Sequence, residues 1–227
     1  MELRPRLKAA ADMLYPKRLT VDIGTDHAYL PAYLVLSGKA DRVLACDIGE
    51  KPLENAARTL ERYSLEDSIS LRISDGLQNV DPSEAEEISV CGMGGTLIAD
   101  ILSAAPWIKR DGMHLVLQPN THTEDVREYL CKNGFLIEKE VCLKDTGRLY
   151  CCISAVYDGV IRDGETGFYY FGTLSQSEPL EKIFISNQIK RVRKRFDALT
   201  EAQRFPEERE MLAGVIRYYG ERYDDKC

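Results

Sequence analysis

The run Leu19-Thr20-Val21-Asp22-Ile23-Gly24-Thr25-Asp26-His27-Ala28-Tyr29-Leu30-Pro31 is a short apolar strand that ends in an acid, a glycine and a polar turn, and then continues as a helix. A strand, glycine turn and helix in that order place backbone N–H groups at the carboxyl edge of a sheet, where nucleotide-like ligands bind. Leu44-Ala45-Cys46-Asp47 is a second apolar strand closed by a carboxylate, and Asp47 follows Gly24 by 23 residues. That is where a doubly wound fold puts the group that grips a ribose.

The glycine pattern argues against a nicotinamide site. Of the three small residues of G-x-G-x-x-G only Gly24 is present, and Thr25, Asp26 and His27 fill the following places. Two acids flanking the turn, Asp22 and Asp26, repel a diphosphate and suit a cationic ligand with an amino group and no phosphate. S-adenosylmethionine is such a ligand. The plainer alternative is an ordinary strand-to-helix turn with an acidic cap.

Residues 2–14 read as an amphipathic helix through Leu3, Leu7, Ala10, Ala11 and Leu14. Strands are then expected at 19–23, 42–46, 68–73, 87–91 and 113–118, with helices at 28–37, 51–63, 96–104 and 123–133. This alternation implies a parallel sheet. Phe135–Leu143 and Leu149–Tyr157 are β-rich runs joined by a Gly147-containing turn, a hairpin signal. A mostly parallel sheet finished by an antiparallel hairpin is a methyltransferase-type arrangement and not a dehydrogenase one. The domain expected is therefore an α/β, Rossmann-like unit over 1–160. Over 161–227 the pattern becomes helical: Ile185, Ile189, Val192, Phe196 and Leu199 form a coiled-coil seam, and Leu212, Val215, Ile216, Tyr219 and Tyr223 form a matching stripe after Pro206. Such a helical hairpin can serve as a dimer contact, a brace or an RNA arm, and its apolar stripe suits packing within the chain.

A chain of 227 residues that is 44% hydrophobic suffices for one α/β domain and a small appendage. No apolar run reaches membrane-span length, and the first residues lack the apolar stretch of a secretory signal, so a cytoplasmic location is expected. Seven cysteines without a C-x-x-C pair read as reduced thiols, and no metal site is expected. The net charge of −7 argues against nucleic acid until its distribution is read. Residues 165–227 hold eleven basic and eleven acidic side chains, and Lys190, Arg191, Arg193, Lys194 and Arg195 occupy five of six consecutive positions. The run is either a solvated helix face or a phosphate-binding patch.

Further candidates stand at strand ends. Asp75-Gly76 can accept a hydrogen bond from an adenine amino group while the glycine admits the ring, or it is a simple turn. In Cys91-Gly92-Met93-Gly94-Gly95 the glycines suggest backbone that approaches a ligand, with Met93 against it or filling the core. Asn120 can present a carbonyl and an amide to a base edge, or cap the helix that begins nearby. Tyr29 can stack on a target base or support packing. His27 is a general base or, more simply, a hydrogen-bonding turn residue, since adenine N1 has a free lone pair.

Together V-D-I-G-T-D-H-A-Y-L-P, A-C-D-I-G-E-K-P-L, S-D-G-L, C-G-M-G-G and L-Q-P-N resemble the bacterial tRNA (adenine-22-N1)-methyltransferase family. The resemblance covers nearly the whole chain. It implies a class I S-adenosylmethionine fold with a helical coiled-coil extension and methylation of adenine N1 in tRNA. By position, Asp22, Gly24, Asp26 and His27 would shape the methionine end, Asp47 with Ile48 the ribose site, Asp75 and Gly76 the adenine site, and Met93 and Gly94 the cavity wall. Asn120, Tyr29 and Asp26 are the catalytic candidates, and the cationic run from Lys190 to Arg195 is the RNA-binding candidate. A monomer or weak homodimer is expected. A small-molecule methyltransferase and a non-catalytic RNA-binding module are the alternatives.

Overall fold

The structure is a computed structural model that describes residues 1–223, and its contacts separate two compact units, Met1–Arg162 and a second from Asp163 onward. The first unit runs α1 (Pro5–Met13), β1 (Thr20–Ile23), α2 (Tyr29–Leu36), β2 (Val43–Asp47), α3 (Glu50–Tyr63), β3 (Ile69–Ile73), β4 (Glu87–Gly94), α4 (Gly95–Ser103), β5 (His114–Thr121), α5 (Thr123–Lys132), β6 (Phe135–Asp145) and β7 (Arg148–Tyr157).

The seven strands lie in the order β3-β2-β1-β4-β5-β7-β6, parallel except for β7, which is antiparallel to both β5 and β6. The strand order reverses between β1 and β4, which pair directly. In an open sheet of this kind the crevice at the carboxyl ends of those strands is where ligands bind. The central strands are buried: all four residues of β1 are covered, as are Ile88 and Val90 of β4 and Leu115 and Leu117 of β5, with the polar Asp22 and Ser89 buried among them.

The first helix is shorter than its apolar spacing suggests. Pro5 presets the first helical φ and Arg4 is extended, so α1 starts there and not at residue 2. The fourth strand is longer than expected: it continues past Cys91 to Gly94, with register shifts against β5 around Met93, and Gly92 adopts φ 82°. A glycine-rich stretch thus forms a bulged strand end, re-aiming the side chains that follow.

The second unit holds α6 (Thr166–Phe171), α7 (Pro179–Ala202) and α8 (Pro206–Tyr223). The long helices pack on each other through the expected seam, with Ile185, Ile189, Val192 and Leu199 buried, although Phe196 is only half covered. The short α6 is unforeseen. Its Phe171 is fully buried against the rings of Tyr218, Tyr219 and Tyr223, with centroids 5.5–6.2 Å away. No helix among the described residues is long and apolar enough to cross a membrane. The six described cysteines are unbonded, and Cys227 lies outside the described residues.

Candidate active site

Asp22 is the deepest acid of the site. In β1 it stands level with Ala45 of β2 and Ser89 of β4, and Ser89 Oγ donates to its carboxylate at 2.6 Å across the point where the strand order reverses. The side chain is only 5% exposed. Burial pushes its pKa up to about 6, against the pull of the Ser89 and Thr25 hydroxyls, and the Asp47 carboxylate adds to the rise. Asp22 and Asp47 therefore share one field.

The turn after β1 corrects one expectation. The N–H groups of Gly24 and Thr25 both donate to Cys46 O, at 2.8 and 3.0 Å, and that of Ala28 to Thr25 O at 2.7 Å. These donors close the turn over the end of β2 and are not left for an anion. What the turn offers a ligand is carboxylate. Gly24 has φ 78°, and a Cβ there would overlap the terminal methyl of Met93, so these two candidates meet. Asp26 and Ala28 also take left-handed backbone, turning the chain sharply into α2. Outside the turn, His27 stacks on Tyr29 at 5.1 Å with its Nε2 3.5 Å from Asp26 Oδ2, and Tyr29 is 45% exposed.

At the tip of β2, Asp47 Oδ1 accepts from Gly49 N at 2.9 Å, which orients the carboxylate and leaves its second oxygen for a ligand hydroxyl. Ile48 beside it is 67% exposed. Asp47 O accepts from Ser74 N at 2.9 Å, bringing the β3 end alongside. Asp75 follows, at the rim of a cavity of about 190 Å³ whose walls include Leu77, Leu97, Ile101 and Ala104. Gly76 (φ 54°) has Ile101 3.0 Å from where a Cβ would be, so this wall already touches the turn. Asp22 and Asp47 do not line this cavity. They occupy the same sheet edge, with Asp47 in register with Ile73, two residues before Asp75.

The glycines of the β4 end differ in purpose. Gly92 needs its left-handed φ, while a Cβ on Gly95 would overlap His122 O, so Gly95 admits the chain's own backbone and not a ligand. Gly94 stands between them as the N-cap of α4.

Asn120 lies in β5 and does not cap α5, whose N-cap is His122 in left-handed backbone without a side-chain bond. Its Nδ2 donates to Gly92 O at 2.5 Å, and its Oδ1 accepts from Arg6 Nη1 at 3.1 Å and from Gln118 Nε2 at 3.3 Å. The expected carbonyl is thus already engaged, and of the amide's two N–H groups one is given to Gly92 O. Gln118 lies in the L-Q-P-N motif, which by itself gives it no role, while Arg6 and Asp145, which holds it, carry no local motif. Arg6 and Asp145 are 139 residues apart, and only the fold joins them.

The cationic run lies on α7 with all five side chains exposed. Arg195 is already paired, its Nε and Nη2 donating to Glu208 at 2.8 and 2.9 Å. The guanidinium of Arg191 lies 5.7 Å from the Tyr170 ring centre, and that of Arg193 lies 5.4 Å from Tyr219.

Chemically, a buried acid raised toward neutrality beside a second acid is relieved by a ligand that brings positive charge. Among the described residues the charged group acting on Asp22 is Asp47, a like charge. Asp47 at the β2 tip, and a cleft walled by Leu77, Leu97 and Ile101 with two acids, Asp75 and Asp100, in its lining, are compatible with a sulfonium nucleoside. Among the described residues no cluster of His, Cys, Asp or Glu can hold a metal.

Residues 3–153 match the family described as "Methyltransferase domain". A curated relative from Bacillus subtilis strain 168, named tRNA (adenine(22)-N(1))-methyltransferase, is 38% identical over 167 residues, which is 70% of each chain. The crystal structure of the B. subtilis M1A22 tRNA methyltransferase TrmK superposes with a TM-score of 0.82 at 29% identity, covering 95% of this chain and 99% of that one. Streptococcus pneumoniae Sp1610, solved in complex with S-adenosyl-L-methionine, gives 0.79 at 28% identity, covering 95% and 100%. The seven-stranded sheet, the acids along its edge and these matches lead to one assignment: the chain belongs to the methyltransferase-domain family and, within it, to the tRNA (adenine(22)-N(1))-methyltransferases.

Proposed function

We propose that this chain transfers the methyl group of S-adenosylmethionine to N1 of adenine 22 in tRNA. The observation that carries the reading is Asp22, buried at the point where the strand order reverses and held by Ser89 at 2.6 Å, on the sheet edge that also bears Asp47, in a chain of this family. The donor supplies a methyl group on positively charged sulfur, so the lone pair of adenine N1 can attack the methyl carbon in line, forming the N1–C bond as the S–C bond breaks and S-adenosylhomocysteine leaves, with no proton to be lost from N1 first.

The protein then has to bind, align and exclude water. Asp22, ionised, faces the cationic end of the donor, with Gly24, Met93 and Gly94 as the wall. Asp47 accepts from ribose hydroxyls beside Ile48, and Asp75 with Gly76 receives the adenine edge in the cleft under Leu97 and Ile101. At the mouth, Tyr29 with His27 stacked behind it offers an aromatic face to the extruded base, and Asn120 offers an amide donor. Asp26 places negative charge near the base, where cationic character develops as N1 becomes alkylated. His27 is a stacking and turn residue, because N1 needs no base. The helical unit, with Lys190, Arg191, Arg193, Lys194 and Arg195, is the arm that grips tRNA phosphates, and such a substrate places the reaction in the cytoplasm.

Incubation with a methyl-labelled donor and unmodified tRNA, followed by mapping of the modified nucleotide, tests this reading. Label at N1 of adenine 22 is expected. Label elsewhere, turnover of a small molecule without tRNA, or RNA binding without transfer overturns it.

A further inference from the structure

Arg6 lies on α1, before the first strand of the sheet, yet its side chain reaches the carboxyl edge where β4 and β5 end. Three groups hold the guanidinium. Its Nε donates to Asp145 Oδ2 at 2.9 Å, the Tyr150 ring centre is 5.0 Å from Cζ, and Nη1 donates to Asn120 Oδ1 at 3.1 Å. Asp145 is itself buried, so the ion pair is shielded on the protein side. Gly92, whose carbonyl accepts from Asn120, lies beside the guanidinium: a Cβ there would be in ordinary van der Waals contact, 3.8 Å from Nη1.

The arrangement decides which way the Asn120 amide points. Arg6 has only donors, so the atom facing it must be the amide oxygen, and Gly92 O only accepts, so the atom facing it must be the nitrogen. Gln118 Nε2 takes the second lone pair of Oδ1. Both acceptor sites of Asn120 are filled and one N–H is given to Gly92, which leaves a single N–H for the substrate. A lone donor matches a ring nitrogen or a ribose or phosphate oxygen. It does not match the exocyclic amino group of adenine, which is itself a donor.

We infer that Arg6, anchored by Asp145, is a positioning residue for methyl transfer: it locks the Asn120 amide so that one N–H, and no acceptor, meets the nucleotide at the mouth of the site. The inference rests on the tRNA methyltransferase reading and deepens it. Arg6 reaches the substrate only through Asn120, so its loss should act on turnover and not on donor affinity.

The test compares Arg6→Ala, Arg6→Lys, Asp145→Asn, Asn120→Ala and the Arg6→Ala/Asn120→Ala double variant in the full chain. The readouts are kcat on saturating tRNA, tRNA affinity, S-adenosylhomocysteine affinity by calorimetry, and melting temperature. Arg6→Ala should lower kcat by roughly 10- to 100-fold, the scale of a misplaced reactant, with both affinities within about twofold of wild type, as expected when only alignment is lost. Arg6→Lys should restore part of kcat and Asp145→Asn should lower it less than Arg6→Ala. The double variant should be no slower than Asn120→Ala, because the two residues act as one unit. Wild-type kcat in Arg6→Ala, losses that multiply in the double variant, or a fall in donor affinity that accounts for the loss would each overturn the inference. Hydrogen exchange of the Asn120 side-chain amide gives a readout that needs no turnover: it should be slow in wild type and faster in Arg6→Ala and Asp145→Asn. Equal exchange rates in all three sink the locking role. Wild-type protein that leaves tRNA unmethylated sinks the functional reading instead, and the exchange data still decide the role of Arg6. Should Arg6→Ala fail to fold, Arg6→Lys and Asp145→Asn carry the same comparison.

Discussion

At the scale of single residues, Asp22 links stability to ligand chemistry. Its carboxyl is raised from 3.8 to about 6, so the folded chain holds this proton more tightly than the unfolded one. The corresponding stability is fully present below about 3.8 and is lost as pH rises through about 6; a shift of this size is worth roughly 3 kcal/mol. Asp22→Asn removes the cost of a buried charge while keeping an acceptor for Ser89. The donor-free variant should therefore be more stable than wild type at pH 7.5 and should lack this decline between pH 4 and 6.5, as thermal melts across that range will show. S-adenosylmethionine affinity should move the other way, falling at least about tenfold, because a cationic ligand loses a desolvated partner worth more than about 1.4 kcal/mol. Asp22 and Asp47 were legible in the chain because an acid closing an apolar strand is a local pattern. Arg6 and Asp145 were not, since their partnership exists only after β6 has been laid beside α1.

At the scale of elements, two junctions hold the sheet edge in place. The first is the start of α4, where Gly95 lets the helix approach the Thr121–His122 backbone. Gly95→Ala forces backbone against backbone with no flexible side chain to give way, and should cost about 1–3 kcal/mol in chemical denaturation, the usual range for overpacking. The second is the buried pair joining α5 to β6. Arg127 Nε donates to Glu140 Oε1 at 2.7 Å with neither side chain exposed, and Cys151 Sγ lies 3.7 Å from the same oxygen. Arg127→Met would leave a buried carboxylate without its cation and should cost about 3–5 kcal/mol, whereas Arg127→Met with Glu140→Leu should recover much of that loss. Equal losses in the single and double variants would contradict the account. The strands were readable because each is an apolar run closed by a turn signal, and β6 and β7 because Gly147 marks their hairpin. The extension of β4 to Gly94 was not, because consecutive glycines carry no alternation and their strand geometry comes from pairing with β5. Nor was α6, six residues whose helical state depends on Phe171 filling a pocket of three tyrosines on α8.

At the scale of the molecule, a chain of net charge −7 has to bind a polyanion, and the resolution lies in how its charges are distributed and paired. Residues 165–227 are neutral by count, yet their cations concentrate on one stretch of α7. Within that stretch the side chains are not equivalent. Arg195 is held by Glu208 in a two-point pair, so bringing it to a phosphate requires breaking that pair or bringing a carboxylate along. Arg191 and Arg193 lie over tyrosine rings, which orient their guanidinium groups. Lys190 and Lys194 are exposed. Each cation that displaces a counterion from RNA contributes roughly 0.7–0.9 to the slope of log affinity against log salt. Substituting Lys190, Arg191, Arg193 and Lys194 with alanine together should therefore lower tRNA affinity and flatten that slope by about three, leaving S-adenosylhomocysteine affinity unchanged. Arg195→Ala should change the slope by much less, and Glu208→Gln should tighten tRNA binding by freeing Arg195. A steep slope that survives the fourfold substitution would place the phosphate contacts elsewhere on the molecule and return the run to a solvated helix face.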